Sequence, residues 1–281
     1  MKILIIGFGS AGQAHKNNIE QIGGFDVKAY DPFVSSLPML KDLHTFDGFI
    51  IASPTGTHLQ YLQKLAVYRK PILCEKPIVS DQVPSNRLIE LQETNSCIYV
   101  AYQMRYLKQL VQLKEDLLRG EYGEIYEISA KYGYDIRQWH GPSNPYLDRV
   151  GVLLEASHEL DYLWWIFDQV SFVNGVLGFR EDFGKAECQS HLQLDAGPGM
   201  ISLQLNYIQK EFERFIRIIG TKKSIEIHFS FDCIASARIE MMKEWLSIVA
   251  GGDAKNLATL HDSMKILTII RQAKKGRDVI I

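Results

Sequence analysis

The chain has 281 residues, of which 46% are hydrophobic and 23% charged, and its formal net charge is −2. This length and composition are typical of a globular protein with one large domain or two of ordinary size. The small net charge gives no reason to expect nucleic acid as a partner, and no apolar run approaches the ~18 residues of a membrane span. The four cysteines are far apart, so we expect a reducing, cytoplasmic setting and no metal site.

The first predicted element is an apolar strand that runs directly into a glycine-rich turn and an amphipathic helix. The turn has the sequence Gly7-Phe8-Gly9-Ser10-Ala11-Gly12. In a dinucleotide site the first glycine allows the turn, the second lets the backbone approach a pyrophosphate, and the third lets the helix pack on the strand. The N–H groups at the helix start then face phosphate charge. Glycines also occur in turns for steric reasons alone, but this context favours dinucleotide binding.

A second apolar strand covers residues 27–30 and ends in Asp31, 24 residues after Gly7. An acidic residue at about this separation (~20) accepts hydrogen bonds from a ribose diol. Its charge repels a 2′-phosphate, so the pattern favours NAD over NADP as the cofactor. The alternative is that Asp31 and Pro32 form only a polar turn after a strand.

The chain then alternates between strand and helix patterns. We predict strands at 48–52, 71–74 and 98–101, and helices at 55–68 and 80–94, the first capped by Thr55 or Thr57. Strands that alternate with helices indicate a doubly wound parallel sheet, as in a Rossmann fold. Ligands of such sheets bind outside the carboxyl ends of the strands.

The segment Glu75-Lys76-Pro77 follows one of these strands at the predicted ligand edge. A lysine at that edge can hydrogen-bond a substrate hydroxyl and stabilise developing alkoxide charge. The alternative is a surface lysine beside a turn proline.

The second half of the chain shows a different pattern. We predict helices at 105–119, 153–167, 237–250 and 259–274, and strands at 125–132, 172–177, 187–194, 200–207, 212–219 and 224–229. Consecutive strands without intervening helices indicate a mostly antiparallel sheet. We therefore expect an α/β chain with an NAD-binding domain at 1–120 and an α+β domain for substrate binding and oligomerisation at 121–281.

The ordered set of motifs resembles the Gfo/Idh/MocA family of NAD(P)-dependent sugar and polyol oxidoreductases. The matching segments are GFGSAG at 7–12, Asp31, ASPTGTH at 52–58, EKP at 75–77, VAYQMRY at 100–106, GEYGEI at 120–125, GVLLEASHELD at 151–161 and FIRIIGTK at 215–222. The family usually has Asp-x-Gly-x-His in the penultimate motif, whereas Glu155 here precedes His158 by three residues.

The resemblance implies roles at the matching positions. Lys76 would lie between the nicotinamide and the substrate, and His158 would take the hydroxyl proton. The implied cofactor-binding residues are Gly7, Phe8, Gly9, Ser10, Ala11, Gly12, Asp31, Ser53, Pro54, Thr55, His58, Glu75 and Lys76. The predicted substrate-binding residues are Arg105, Trp139, Glu155, His158 and Asp161.

The implied function is hydride transfer between a nicotinamide and a secondary alcohol or ketone of a sugar or sugar derivative, in a homodimer or homotetramer formed through the C-terminal sheet. Segments 134–140 and 155–162 look like a subgroup associated with bacterial surface sugars. The alternatives are a sensor or scaffold that binds NAD without turnover, methyl transfer from S-adenosylmethionine, and glycoside cleavage by transient oxidation. The presence of both Lys76 and His158 argues against the sensor.

Overall fold

The computed structural model describes residues 1–34, 42–140, 151–276 and 278–280, with only the backbone described at 139, 140 and 278–280. The chain forms two compact units. The first consists of Met1–Tyr106 and Ala235–Met264, and the second of Leu107–Ile234 and Lys265–Ile281. Across the described part of the chain, no helix combines the length and the apolar character needed to cross a membrane.

The elements follow the chain in this order: β1 (Lys2–Ile6), α1 (Ser10–Ile22), β2 (Asp26–Tyr30), β3 (Gly48–Ile51), α2 (Thr55–Ala66), β4 (Ile72–Cys74), α3 (Ser85–Thr94), β5 (Ile98–Val100), α4 (Lys108–Leu118), β6 (Ile125–Gly133), α5 (Arg137–His140), α6 (Val152–Glu155), α7 (Ser157–Phe167), β7 (Ser171–Gly178), β8 (Gln189–Asp195), β9 (Met200–Asn206), β10 (Glu213–Gly220), β11 (Ser224–His228), α8 (Phe231–Val249), β12 (Ala258–Thr259), α9 (Leu260–Lys275) and β13 (Asp278–Ile280). Short 3₁₀ turns lie at 43–45, 103–106 and 181–183.

The sheet of the first unit has the strand order β12-β5-β4-β3-β1-β2. All its pairs are parallel except the edge pair of β12 with β5. The central strands β1, β3 and β4 are continuous apolar runs that are almost fully buried, because a parallel sheet is covered on both faces. The predicted doubly wound parallel sheet is therefore confirmed, and its strand ends place the glycine turn, Asp31 and Glu75 along one edge.

Helix α8 completes the core of the first unit although it lies late in the chain. Trp245, Met241 and Met242 are buried in one cluster with Ile3 and Ile50 of the sheet. Residues 235–264 therefore group with the first unit, and residues 107–120 group with the second. The predicted division at residue 120 differs from these compact units in the place of residues 107–120 and of residues 235–264. The second difference could not be predicted, because the local sequence pattern of α8 does not indicate that it packs against β1 and β3.

The second unit contains a seven-stranded sheet with the order β11-β10-β6-β9-β8-β7-β13. Its pairs are antiparallel except β6 with β9 and β7 with β13. The strict alternation of β8, β9 and β10 buries one face, where Ile216, Ala130, Leu203 and Leu192 lie side by side in register. The opposite face is mostly polar, and the predicted mostly antiparallel sheet is confirmed.

Three predicted helices differ clearly from the observed ones. The helix predicted at 237–250 begins six residues earlier, at Phe231. The helix predicted at 80–94 begins only at Ser85, because Pro84 occupies the N-cap position. The helix predicted at 153–167 consists of two helices, α6 and α7, which are separated at Ala156. Helix α2 begins at Thr55 as expected, but its N-cap is Pro54 and neither threonine caps it through a side chain.

Candidate dinucleotide site and substrate helix

The glycine turn between β1 and α1 is shaped by two close backbone approaches. Gly7 has φ = +92°, and a Cβ at this residue would lie 2.5 Å from the backbone nitrogen of Ser53. A Cβ at Gly12 would lie 2.0 Å from the carbonyl oxygen of Gly7. Both positions therefore require glycine, and the turn is packed tightly against the end of β3 and the start of α1.

Gly9 differs from these two residues because its surroundings are open. Within the described part of the chain, no atom would lie within 4 Å of a Cβ at Gly9, and Gly9 and Ser10 are both exposed. Gly9 is the N-cap of α1, and no side chain caps that helix. The N-terminal N–H groups of a 13-residue helix therefore face open space, which is the arrangement that binds a pyrophosphate.

Asp31 connects the end of β2 to the glycine turn through a hydrogen bond. Its Oδ2 accepts a hydrogen bond from the N–H of Phe8 at 2.7 Å, and its Oδ1 accepts one from the N–H of Phe33 at 2.9 Å. Each carboxylate oxygen keeps a second lone pair for another donor. The carboxylate is therefore fixed beside the turn in the position where a ribose diol would meet it.

His58 lies in α2 and is 1% exposed. Its Nε2 lies 2.7 Å from the carbonyl oxygen of Ser53, and its Nδ1 lies 3.0 Å from that of Pro77. Burial lowers the pKa of the imidazole, and the contacts with these carbonyls and the charge of Glu75 oppose that shift. His58, predicted to line the cofactor, instead joins the loop after β3 to the loop after β4, while Ser53, Pro54 and Thr55 are partly or fully exposed at the sheet edge.

Glu75 is paired with a histidine from α1. Nε2 of His15 lies 2.7 Å from Oε1 of Glu75, and His15 is 1% exposed. Burial raises the pKa of Glu75, but the hydrogen bond and charge of His15, with the charges of Lys76 and Arg238, lower it overall. Glu75 is therefore held as a carboxylate next to Lys76, which is half-buried at the sheet edge.

Arg105 does not present its guanidinium to open space. It is 3% exposed, and its Nη1 donates to Oδ2 of Asp262 at 3.3 Å. Asp262 and Thr259 form a reciprocal capping box at the start of α9. The predicted substrate-binding Arg105 thus lies in a buried ion pair within the first unit.

The substrate helix predicted in the second unit is anchored by a residue that the motifs did not indicate. Glu187 is buried, and its carboxylate accepts the N–H of Leu153 at 3.4 Å and pairs with Lys274 at 3.5 Å. A Cβ at Gly151 would lie 2.0 Å from this carboxylate. Gly151 is therefore required for Glu187 to reach the start of α6.

His158 occupies the first turn of α7 and is 7% exposed, and Asp161 follows one turn later with no exposed surface. The next residue after His158, Glu159, is fully buried and accepts a charge-assisted hydrogen bond from Nε of Arg214 on β10 at 2.5 Å. The guanidinium of Arg214 lies 5.2 Å from the ring centroid of Tyr132. This buried ion pair connects the first turn of α7 to β10.

Glu155 ends α6, and its charge affects the pKa of Tyr132 on β6 and of Tyr207 directly after β9. Burial raises the pKa of Tyr207 well above its ordinary value, and the charge of Glu155 adds to the shift. Burial likewise raises the pKa of Tyr132, where the charges of Arg214 and Glu155 act in opposite directions. Both phenols therefore stay protonated and can serve as hydrogen-bond donors.

The loop after β6 contains the remaining predicted substrate residue. The side chain of Trp139 lies outside the described residues. Its neighbour Arg137 binds Asp135 through two nitrogens, at 2.9 and 2.8 Å, and Asp182 through a third at 3.0 Å. Arg137 therefore organises this loop through carboxylates of the protein itself.

His15 and Arg214 lie outside the matching motifs, and Glu159 lies inside one but was not predicted as a site residue. His15 stands three residues after Gly12 and four before Ile19, so it shares their buried face of α1. That spacing was the available signal for His15. Glu159 and Arg214 are 55 residues apart, and only the fold brings them together.

Comparison with known proteins identifies the class of this chain. The model of an oxidoreductase family with an NAD-binding Rossmann fold, GFO/IDH/MocA, matches residues 24–103. The model of the GFO/IDH/MocA C-terminal domain matches residues 104–226. The chain therefore belongs to the Gfo/Idh/MocA family of NAD-binding oxidoreductases, as its motifs predicted.

The individual relatives are distant. Rhizopine catabolism protein MocA from Rhizobium meliloti is 23% identical, with 96% of this chain and 92% of that protein covered. Scyllo-inositol dehydrogenase from Lactobacillus casei, solved with NAD(H) and scyllo-inositol, is 18% identical with a TM-score of 0.82 over 99% of this chain and 97% of its own. The WlbA dehydrogenase from Bordetella pertussis, solved with NADH and UDP-GlcNAcA, is 17% identical with a TM-score of 0.80 over 98% and 96%. These two structures share the fold of this chain.

Proposed function

We propose that this protein is an NAD-dependent dehydrogenase or reductase that acts on a secondary alcohol or ketone of a sugar or cyclic polyol. The observation that carries the proposal is the combination, at one edge of a parallel sheet, of an open glycine turn, a fixed Asp31 carboxylate and Lys76. A protein that only binds a dinucleotide needs the first two features. Lys76 adds a cation where charge would develop during reaction.

The cofactor proposal follows from the geometry of the turn. Gly9 to Gly12 and the start of α1 would hold the pyrophosphate, and Asp31 would accept the ribose hydroxyls. NAD fits better than NADP, because a 2′-phosphate would meet the Asp31 carboxylate. The nicotinamide of the bound cofactor supplies or accepts the hydride.

The remaining chemistry belongs to side chains of the protein. His158 takes the proton from the reacting hydroxyl, or returns it to the ketone oxygen in the reverse direction. An imidazole suits this role because its unperturbed pKa of ~6.5 is near the working pH. Lys76 hydrogen-bonds the same oxygen and stabilises its negative charge, and Asp161 and Glu155 help to orient the substrate.

The substrate class rests on the names of the relatives. Solved structures with this fold include an inositol dehydrogenase with bound scyllo-inositol and a dehydrogenase in complex with a nucleotide sugar, and both bound molecules contain a ring with several secondary oxygen substituents. We propose a substrate of that kind, an enzyme that works in the cytoplasm, and an assembly of two or four copies through the polar face of the second sheet.

The decisive experiment follows hydride transfer by NADH absorbance with a panel of inositols, free sugars and nucleotide sugars. We expect turnover with a member of the panel, and a loss of at least 100-fold in kcat for both Lys76→Ala and His158→Ala, while the Kd for NAD changes less than threefold. The matched control is Lys70→Ala, which removes a lysine from the opposite end of β4.

Two results would contradict the proposal. Tight NAD binding without turnover on any substrate would favour the sensor or scaffold. Turnover that survives both substitutions would remove Lys76 and His158 from the reaction.

A further inference from the structure

The pair of the buried His15 and the partly buried Glu75 connects the glycine turn to the loop that carries Lys76. His15 stands in α1, one turn after Gly12, and its Nε2–H donates to Oε1 of Glu75 at 2.7 Å. Glu75 begins the loop after β4, where its N–H donates to the carbonyl oxygen of Ile51 at 2.8 Å. The histidine is therefore the side chain through which α1 holds the start of this loop.

The second oxygen of Glu75 is directed toward Lys76. Its Oε2 accepts the backbone N–H of Lys76 at 3.3 Å, and the positive charges of Lys76 and Arg238 both act on the carboxylate. The other side of the loop is held by His58, whose Nδ1 lies 3.0 Å from the carbonyl oxygen of Pro77. Lys76 thus stands between two buried histidines that fix its neighbours.

We propose that His15 is a positioning residue for Lys76 and that it acts through the carboxylate of Glu75. This inference rests on the proposed function, in which the Lys76 ammonium stabilises charge on the substrate oxygen. His15 satisfies one carboxylate oxygen and fixes the orientation of the group. Without that donor, the partly buried carboxylate would have an unsatisfied oxygen and would compete for the Lys76 ammonium, whose charge already acts on it, and draw it away from the substrate.

The geometry offers a matched pair of substitutions. The side-chain amide nitrogen of glutamine stands as far along the side chain as Nε2 of histidine, so His15→Gln keeps a donor for Glu75. The amide nitrogen of asparagine corresponds to Nδ1 instead, so His15→Asn removes the donor with similar polarity. We expect kcat to fall at least tenfold in His15→Asn and less than threefold in His15→Gln, with the Kd for NAD unchanged within threefold in both.

A second experiment distinguishes a positioning role of His15 from a general effect on the stability of the fold. If His15 acts through Lys76, His15→Asn will not lower the residual kcat further in a Lys76→Ala background. The control is Lys16→Ala, which breaks an exposed pair with Glu20 on the same helix and should leave kcat and the NAD affinity unchanged.

The outcomes distinguish this inference from the proposed function. If Lys76→Ala loses activity but His15→Asn and His15→Gln behave alike, His15 is not a positioning residue and the proposed function stands. If His15→Asn lowers kcat equally with and without Lys76, its effect is structural and the inference is overturned. If Lys76→Ala retains full activity, the proposed role of Lys76 in the reaction is contradicted, and the inference about His15 is contradicted with it.

Discussion

At the scale of single residues, the three glycines of the first turn have different physical reasons to be glycine. Gly7 and Gly12 are constrained by protein backbone atoms within about 2.5 Å of a Cβ that they lack. A Cβ at Gly9 would meet no atom of the described residues within 4 Å, so the packing of those residues does not require its small size, and we propose that a bound pyrophosphate does. The structure therefore separates two glycines that the fold needs from one that we propose is needed for binding.

This distinction predicts opposite outcomes for two alanine substitutions. Gly9→Ala should leave the melting temperature of the free protein within about 2 °C, because its φ of −72° suits alanine, but should weaken NAD binding at least tenfold. Gly12→Ala should lower the melting temperature by more than 5 °C, because its Cβ would overlap the carbonyl oxygen of Gly7. Calorimetry with and without NAD measures both effects, and equal NAD affinity in Gly9→Ala and the parent protein would contradict the assignment of the pyrophosphate.

The motifs predicted the turn itself, because Gly7 and Gly12 are required by local backbone geometry. They also predicted Asp31 and Lys76, whose positions depend only on where a strand ends. They did not predict that His58 and Arg105 would be buried, because these side chains bond to Pro77 and Asp262, which are distant in the sequence.

At the scale of elements, α7 is fastened to β10 by the buried pair of Glu159 and Arg214. Removing one partner leaves a buried charge uncompensated, which typically costs about 3–5 kcal/mol. We expect Glu159→Gln and Arg214→Met each to lower the free energy of unfolding by about that amount, and the double variant to lose much less than the sum. Urea denaturation of the four proteins measures this coupling, and additive losses would show that the pair does not act as a unit.

The loops after β3 and β4 are joined by His58, and this connection predicts a pH dependence. Burial lowers the pKa of the folded imidazole below 6.5, so the unfolded chain binds this proton more strongly. The contribution of His58 to stability is therefore complete above pH 6.5 and is lost as the pH falls from 6.5 toward the folded pKa, at up to ~1.4 kcal/mol per pH unit.

His58→Gln should remove this pH dependence of stability, because glutamine does not titrate. Its amide N–H can still donate to the carbonyl oxygen of Ser53 or Pro77. The measurement is the difference in the free energy of unfolding between the parent protein and His58→Gln at about pH 7.5 and about pH 5.5. The advantage of the parent protein should shrink at the lower pH, and a constant difference would mean that His58 does not titrate in this range.

The pattern of elements in the second half was predicted well, because alternation along β8, β9 and β10 directly reports one buried face. The break at Ala156 was not predicted, since apolar residues run through both α6 and α7. The anchor at Glu187 was not predicted either, because its contacts with Leu153 and Lys274 depend on tertiary structure.

At the scale of the whole molecule, the polar face of the second sheet is the surface through which we propose that copies associate. Ser202 lies near its centre, in register with Ser129 on β6 and Gln193 on β8. Ser202→Arg should place an unpaired charge in this interface and shift the protein to monomers, as measured by analytical ultracentrifugation. The control is Ser96→Arg at an exposed site of the first unit, and an unchanged mass for Ser202→Arg would contradict assembly through this face.

The late position of α8 has a consequence for how the protein is made. The parallel strands β1 to β5 leave the ribosome early, but α8, which covers part of their apolar side chains, comes after residue 230. Meanwhile the segment 107–234 is synthesised in full and can form its own sheet. During translation, Ile3 and Ile50 therefore lack the part of their cover that α8 supplies until most of the chain has been made. This is the interval in which a chaperone would be needed most.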